Sequence, residues 1–157
     1  MGGARIGDAA ARRAIVRYLG AFAVGNLVWE VFQLPLYTLW RTAGAAYLAF
    51  AGLHCWVGDL LIGSASLGLG IMVAGRFWPS GGCARVAAVT VLLGVAYTVF
   101  SEWLNVAVRG SWAYAPAMPR VPPLGTGLSP LLQWIIVPLA AFAWARPYCA
   151  QNGRPSR

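Results

Sequence analysis

The chain contains four acidic residues. Three of them, Glu30, Asp59 and Glu102, stand inside otherwise apolar stretches spanning residues 24–39, 53–69 and 89–108. The fourth, Asp8, belongs to the N-terminal tail. A carboxylate at the centre of a membrane helix costs at least ~2.5 kcal/mol, and ionisable groups kept there mark sites by default. Of two carboxyls in an apolar site, one can stay protonated and serve as an acid while the other serves as a base. Glu30 and Glu102 are the pair expected to do so, with His54, the single histidine, as a proton shuttle.

Polar neighbours share helical faces with these acids. Asn26, Glu30 and Gln33 follow i, i+4, i+7, and Thr98, Glu102, Asn105 and Arg109 repeat a similar spacing with Tyr97 and Ser101 beside them. Gly52, Cys55, Asp59, Gly63, Ser66 and Gly70 make a stripe of small and polar residues, which lets membrane helices approach closely and turns Asp59 inward. At about 1.5 Å rise per residue, Glu30 lies about 24 Å from the start of its helix and Glu102 reaches a similar height. Gln133 lies about 8 Å and His54 about 12 Å from the opposite end of theirs, with Asp59 nearer the midplane. Asn26, Gln33, Asn105, Arg109, Gln133 and Asp59 are therefore expected to line one cavity, with Trp112, Tyr114 and Trp134 as aromatic walls. Such walls would hold a polyene or isoprenoid, or stabilise a carbocation. Trp29, Trp56 and Trp103 cluster with Trp112 and Trp134 at or beside this layer, and for at least some of the five the ordinary interfacial belt is the better explanation.

These groups require long apolar helices to carry them. Hydrophobic residues make up 59% of the 157 and charged ones only 10%, whereas a soluble domain carries about 25% charged residues. Four segments, about 14–34, 46–73, 85–108 and 128–145, meet the ~20 residues needed to cross a hydrocarbon core. The expected fold class is all-α: an integral membrane four-helix bundle forming a single transmembrane domain over residues 1–157. Cys83 and Cys149 fall at the cytoplasmic end of that arrangement, where no structural disulfide is expected. Three cysteines and one histidine at these spacings make no zinc signature, so neither a metal nor another cofactor is implied.

The net charge of +8 is carried by arginine alone. The arginines flank apolar blocks in ones and twos, a topology pattern rather than a basic face for nucleic acid. Nine of the twelve basic residues fall on the side of the two termini and only Arg41, Arg109 and Arg120 on the other. Both termini are thus expected in the cytoplasm of a bacterial inner membrane, with the site facing outward. The stretch 109–127, rich in Pro and Gly, is an external loop between the third and fourth helices. Its Trp112, Tyr114 and Met118 suit a segment lying over the mouth of the bundle.

The run Tyr97-Thr-Val-Phe-Ser-Glu-Trp-Leu-Asn105, then Arg109-Gly-Ser-Trp-Ala-Tyr114, then Gly127-Leu-Ser-Pro-Leu-Leu-Gln-Trp134, resembles one shared by small bacterial multipass inner-membrane proteins. No activity comes with that resemblance. An acid at a helix end, a Gly-x-Trp-x-Tyr loop and a proline-opened helix are also similar to the membrane-bound lycopene cyclase and carotenoid hydratase group. That likeness implies acid chemistry on a lipophilic polyene. It covers residues 97–134 and departs after Pro130, where Leu131, Leu132 and Gln133 replace that group's paired glutamates, so Glu30 or Asp59 would have to supply the acid.

Three functions are open on these residues. The first is an outward-facing acidic cavity for a lipophilic small molecule (lipid, isoprenoid or pigment), with or without acid–base catalysis. The second is a non-enzymatic accessory or assembly subunit, using the glycine-rich stripe against a membrane partner or a second copy of the chain. The third is a small transporter or ion conductor, disfavoured because the cytoplasmic halves of helices one, three and four are almost wholly apolar.

Overall fold

The computed structural model describes the backbone of residues 3–79 and 81–149 and the side chains of residues 9–79 and 81–146. Four long helices dominate: α1 (Gly3–Gln33), α3 (Ala45–Ala74), α4 (Cys83–Glu102) and α5 (Leu128–Cys149). A four-residue helix, α2 (Leu39–Thr42), lies between α1 and α3. Four spans, Ala9–Leu36, Ala45–Ala74, Cys83–Val108 and Leu128–Arg146, are long and apolar enough to cross a membrane. Each expected segment falls inside one of them. The surface agrees: Phe32, Met72 and Val73 are 79%, 81% and 76% exposed, a disposition that favours lipid over water.

Local chemistry explains the breaks. Pro35 has no N–H and its ring crowds the preceding turn, so α1 gives way to a single 3₁₀ turn, Leu34–Leu36. Tyr37 then runs extended (φ −111°, ψ 147°). At the head of α4, Gly82 adopts φ 73°, which costs residues with a Cβ more than glycine. Cys83 is disulfide-bonded, correcting the expectation that no structural disulfide forms. That expectation rested on compartment chemistry alone and contained no geometry.

The helices contact one another around a ring, α1 to α3 to α4 to α5 and back to α1. Each crossing is seated where a side chain is missing. A Cβ on Gly25 of α1 would lie 2.8 Å from Val137 of α5, and one on Gly63 of α3 would lie 2.3 Å from Phe22 of α1. Gly70 of α3 rests against Thr90 and the Val86 carbonyl of α4, and Gly94 of α4 lies under the Trp134 ring of α5. Around these contacts Tyr18, Phe22, Leu67, Val86, Trp134, Val137 and Phe142 form the apolar core.

Two features of the opposite end were not foreseen. After Glu102 the helix widens into a π-helical turn, Trp103–Val108, with the Arg109 N–H reaching Leu104 O five residues back (2.8 Å). The loop beyond contains a two-residue antiparallel hairpin, β1 (Arg120–Val121) with β2 (Thr126–Gly127). The loop is also stitched to the chain after α1. Thr38 N–H donates to Ala113 O and Ala115 N–H to Leu36 O, both at 2.9 Å, closing a bridge between Tyr37 and Tyr114.

Candidate functional site

Residues separated by one and two helical turns share a face, and α1 uses this to present Asn26, Glu30 and Gln33 together, all buried. α5 approaches α1 closely at Gly25 and brings Gln133, also buried, to the same level. The Gln133 amide nitrogen then faces three acceptors: Asn26 Oδ1 at 2.9 Å, Asp59 Oδ2 at 2.9 Å and Glu30 Oε1 at 3.1 Å. Gln33 Nε2 donates to Glu30 Oε1 (2.7 Å) and to Gln133 Oε1 (3.2 Å). A relay continues outward, from Trp29 Nε1–H to Ser129 Oγ (3.1 Å) and from the Ser129 hydroxyl to Gln33 Oε1 (3.1 Å). Asn26 completes the floor by donating to Phe22 O (2.8 Å).

Asp59 and Glu30 meet at the same Gln133 amide nitrogen, accepting through Oδ2 at 2.9 Å and Oε1 at 3.1 Å. Among the described residues no arginine takes part in holding Glu30, Asp59 or Glu102. Their hydrogen-bond partners are amides and a phenol.

Glu102 belongs to a second group in the same cavity. Its carboxylate accepts a short hydrogen bond from the Tyr114 phenol, and the Tyr114 oxygen accepts from Gly127 N–H at 2.8 Å. The loop of residues 109–127 is thereby latched to α4 through one side chain. Burial, then the neighbouring Glu102 bond, raises the Tyr114 phenol above its ordinary pKa. Burial raises Tyr37 still more clearly, with the charge of Glu102 adding to it. Both phenols therefore remain protonated donors at neutral pH. Trp112 encloses its Nε1–H beside Glu102 without closing a hydrogen bond to it.

The two groups border a cavity of about 350 Å³, lined from every long helix. Glu30, Gln33, Asp59, Gln133, Glu102, Asn105, Trp112 and Trp134 face it. Asn26 lies behind Gln133, and Tyr114 behind Glu102. Asn105 turns its amide back to Ser101 O (2.9 Å), and Trp134 is a wall packed over Gly94. His54 and Arg109 line the cavity while exposed at its rim, and His54 stacks on Phe50 with ring centroids 5.8 Å apart. The carboxyl that meets Glu30 is thus Asp59, whereas Glu102 is engaged by Tyr114. The small-residue stripe of α3 divides accordingly: Gly63, Ser66 and Gly70 are buried, while Gly52, Cys55 and Asp59 line the cavity.

Two site residues lay outside the sequence reading. Tyr37 follows the proline break and shares no helical period with the polar faces. Ser129, just before Pro130, carries an ordinary helix-opening signal that conceals its link to Gln33. Neither Trp29 nor Trp56 lines the cavity: Trp29 reaches its network only through Ser129, and Trp56 donates to Ala23 O at 2.8 Å.

No protein-family model matches the chain, and neither the curated proteins nor the solved structures contain a match to it.

Proposed function

We propose that this protein binds a lipophilic small molecule in the acidic cavity and that the Glu30–Asp59 pair exchanges a proton with it. The observation carrying this reading is the carboxyl pair itself, met by two glutamines and open to a 350 Å³ space; two carboxyls meeting in an apolar site share a proton rather than both ionise. A purely structural polar cluster would be filled by its own side chains. Here the network stops at a cavity large enough for a ligand, whose volume range begins near 300 Å³. One carboxyl of the pair would donate as the general acid and the other would receive, while Glu102, fixed by Tyr114, supplies a second negative centre against developing positive charge. The aromatic walls Tyr37, Trp112 and Trp134 favour a chain with unsaturation, the substrate type that the likeness to the carotenoid-modifying group also suggests.

The arginine distribution supports both termini in the cytoplasm, of a bacterial inner membrane on the family resemblance, and so an outward-facing cavity. The disulfide at Cys83 argues the other way, since disulfides persist in oxidising compartments. We give the arginines more weight because they sum over nine residues at one end against three at the other. Alkaline-phosphatase and fluorescent-protein fusions at the C-terminus decide the orientation.

The function is tested with Glu30→Gln, Asp59→Asn and Glu102→Gln in a strain whose deletion alters membrane lipids or pigments. Loss of the proton-exchanging pair reproduces the deletion profile. Wild-type profiles in both Glu30→Gln and Asp59→Asn would end the acid–base reading.

A further inference from the structure

The cavity is closed above and open at the side. Above it, the Thr38–Ala113 and Ala115–Leu36 hydrogen bonds and the Tyr114 latch hold the loop in place. At the far end, α3 and α4 touch where Gly70 meets Thr90. Toward the loop end the cavity lies between the same two helices. Gly52 and Gly58 of α3 both line it, and a Cβ on either would meet nothing within 4 Å. Facing them on α4, Tyr97 lines the cavity and is still 44% exposed. From Tyr97 to Arg109 this slot runs about 18 Å along the helix, close to the ~15 Å of one leaflet's hydrocarbon.

Charge distinguishes the two ends of the slot. Each carboxyl in the cavity already accepts hydrogen bonds from the protein, whereas Arg109 at the rim makes no ion pair among the described residues. Arg109, exposed at the rim and lining the cavity, is thus the cation that an anionic headgroup entering the slot would meet. We infer that the cavity takes, sideways from the lipid between α3 and α4, a single-chain amphiphile whose phosphate or carboxylate headgroup docks on Arg109 while its chain extends past Tyr97 toward the carboxyl pair. This rests on the reading of the cavity as a lipophilic-ligand site. It adds a headgroup chemistry, a residue that selects it and a route.

The experiment uses the full chain, purified in detergent and stripped of lipid, with three probes of equal chain: 1-oleoyl-lysophosphatidate, oleate and uncharged 1-monooleoylglycerol. Native mass spectrometry gives affinities, and stopped-flow tryptophan fluorescence gives uptake rates. A charge-assisted headgroup contact should make one or both anionic probes bind about tenfold tighter than the uncharged one, and the comparison of phosphate with carboxylate identifies the headgroup. Arg109→Gln, an exposed replacement, should bring that ratio to about one, with Arg109→Lys retaining part of it. Gly58→Phe, placed where the Cβ has open space, should slow uptake of every probe without unfolding the protein. Equal binding of all three by the wild type, or a ratio unchanged in Arg109→Gln, overturns the headgroup assignment while the parent reading stands. Wild-type uptake in Gly58→Phe overturns the lateral route. Failure of the wild type to bind any probe overturns the parent reading itself.

Discussion

Gln133→Leu is the substitution that most directly interrogates the site. The Gln133 amide carries two hydrogens and faces three acceptors, Asn26 Oδ1, Asp59 Oδ2 and Glu30 Oε1. After its removal Glu30 keeps Gln33 at 2.7 Å and Asp59 still faces the cavity, but Asn26 Oδ1 is left with no partner. A buried acceptor stranded in this way costs about 1–3 kcal/mol. The weakened support of the two carboxyls adds about 0.6 kcal/mol each, the average for polar contacts inside membranes. The expected destabilisation is therefore about 2–4 kcal/mol. Asn26→Leu should cost under about 1 kcal/mol, because it removes the surplus acceptor and leaves the two hydrogens of Gln133 matched to two carboxyls. In the double variant the stranded acceptor disappears, so its cost should fall about 1 kcal/mol below the sum of the singles. Reversible unfolding in dodecylmaltoside–dodecylsulfate mixtures, followed by tryptophan fluorescence, measures all three. Equal single-variant costs that simply add would refute the hub role of Gln133.

The helix crossings predict opposite results for two glycines. Gly94→Ala would place a Cβ 2.1 Å from Trp134 and should cost about 1–3 kcal/mol by overpacking. Gly52→Ala meets nothing within 4 Å and should gain up to about 1 kcal/mol from helix propensity; thermal unfolding separates the two. Tyr114→Phe removes the latch to Glu102 and the acceptor of Gly127 N–H, so limited proteolysis should begin to cut within residues 109–127. Because the folded Tyr114 phenol titrates above its ordinary value of 10.0, the unfolded chain loses that proton first and stability falls as pH rises past 10. That alkaline decline should be shallower in Tyr114→Phe, and unfolding titrations at pH 9 to 11 test it. If Glu30 and Asp59 share a proton as proposed, a hydrophobic carbodiimide, which attacks the protonated acid, should label one of these two. Peptide mapping should find the adduct absent in the Glu30→Gln, Asp59→Asn double variant, and its persistence elsewhere in that variant would mean the shared proton was wrongly assigned.

Span positions and shared faces were readable without coordinates because both are local properties. Hydropathy over about 20 residues marks a membrane helix, and a 3.6-residue period puts Asn26, Glu30 and Gln33 on one stripe whatever lies opposite. Thus every expected segment lies within a span the structure contains, and the polar character of the cavity was visible in the chain. Which stripe meets which neighbour is a different kind of information. Depth estimates pair Glu30 with Glu102 because they count residues along an axis and say nothing of rotation about it. In the fold, glycines at the crossings fix both rotation and distance. Gly25 draws α5 onto α1, and Gly63 seats α3 on Phe22, which carries Gln133 and Asp59 to Glu30. Glu102 instead faces a loop that no helical period describes, where Tyr114 holds it. The amino-acid sequence by itself determined that three acids lie within apolar helices. Only the tertiary structure decided that two of them meet at one glutamine and that the third secures the cap, because close packing selects one rotation of each helix from the many that its own hydrophobicity allows.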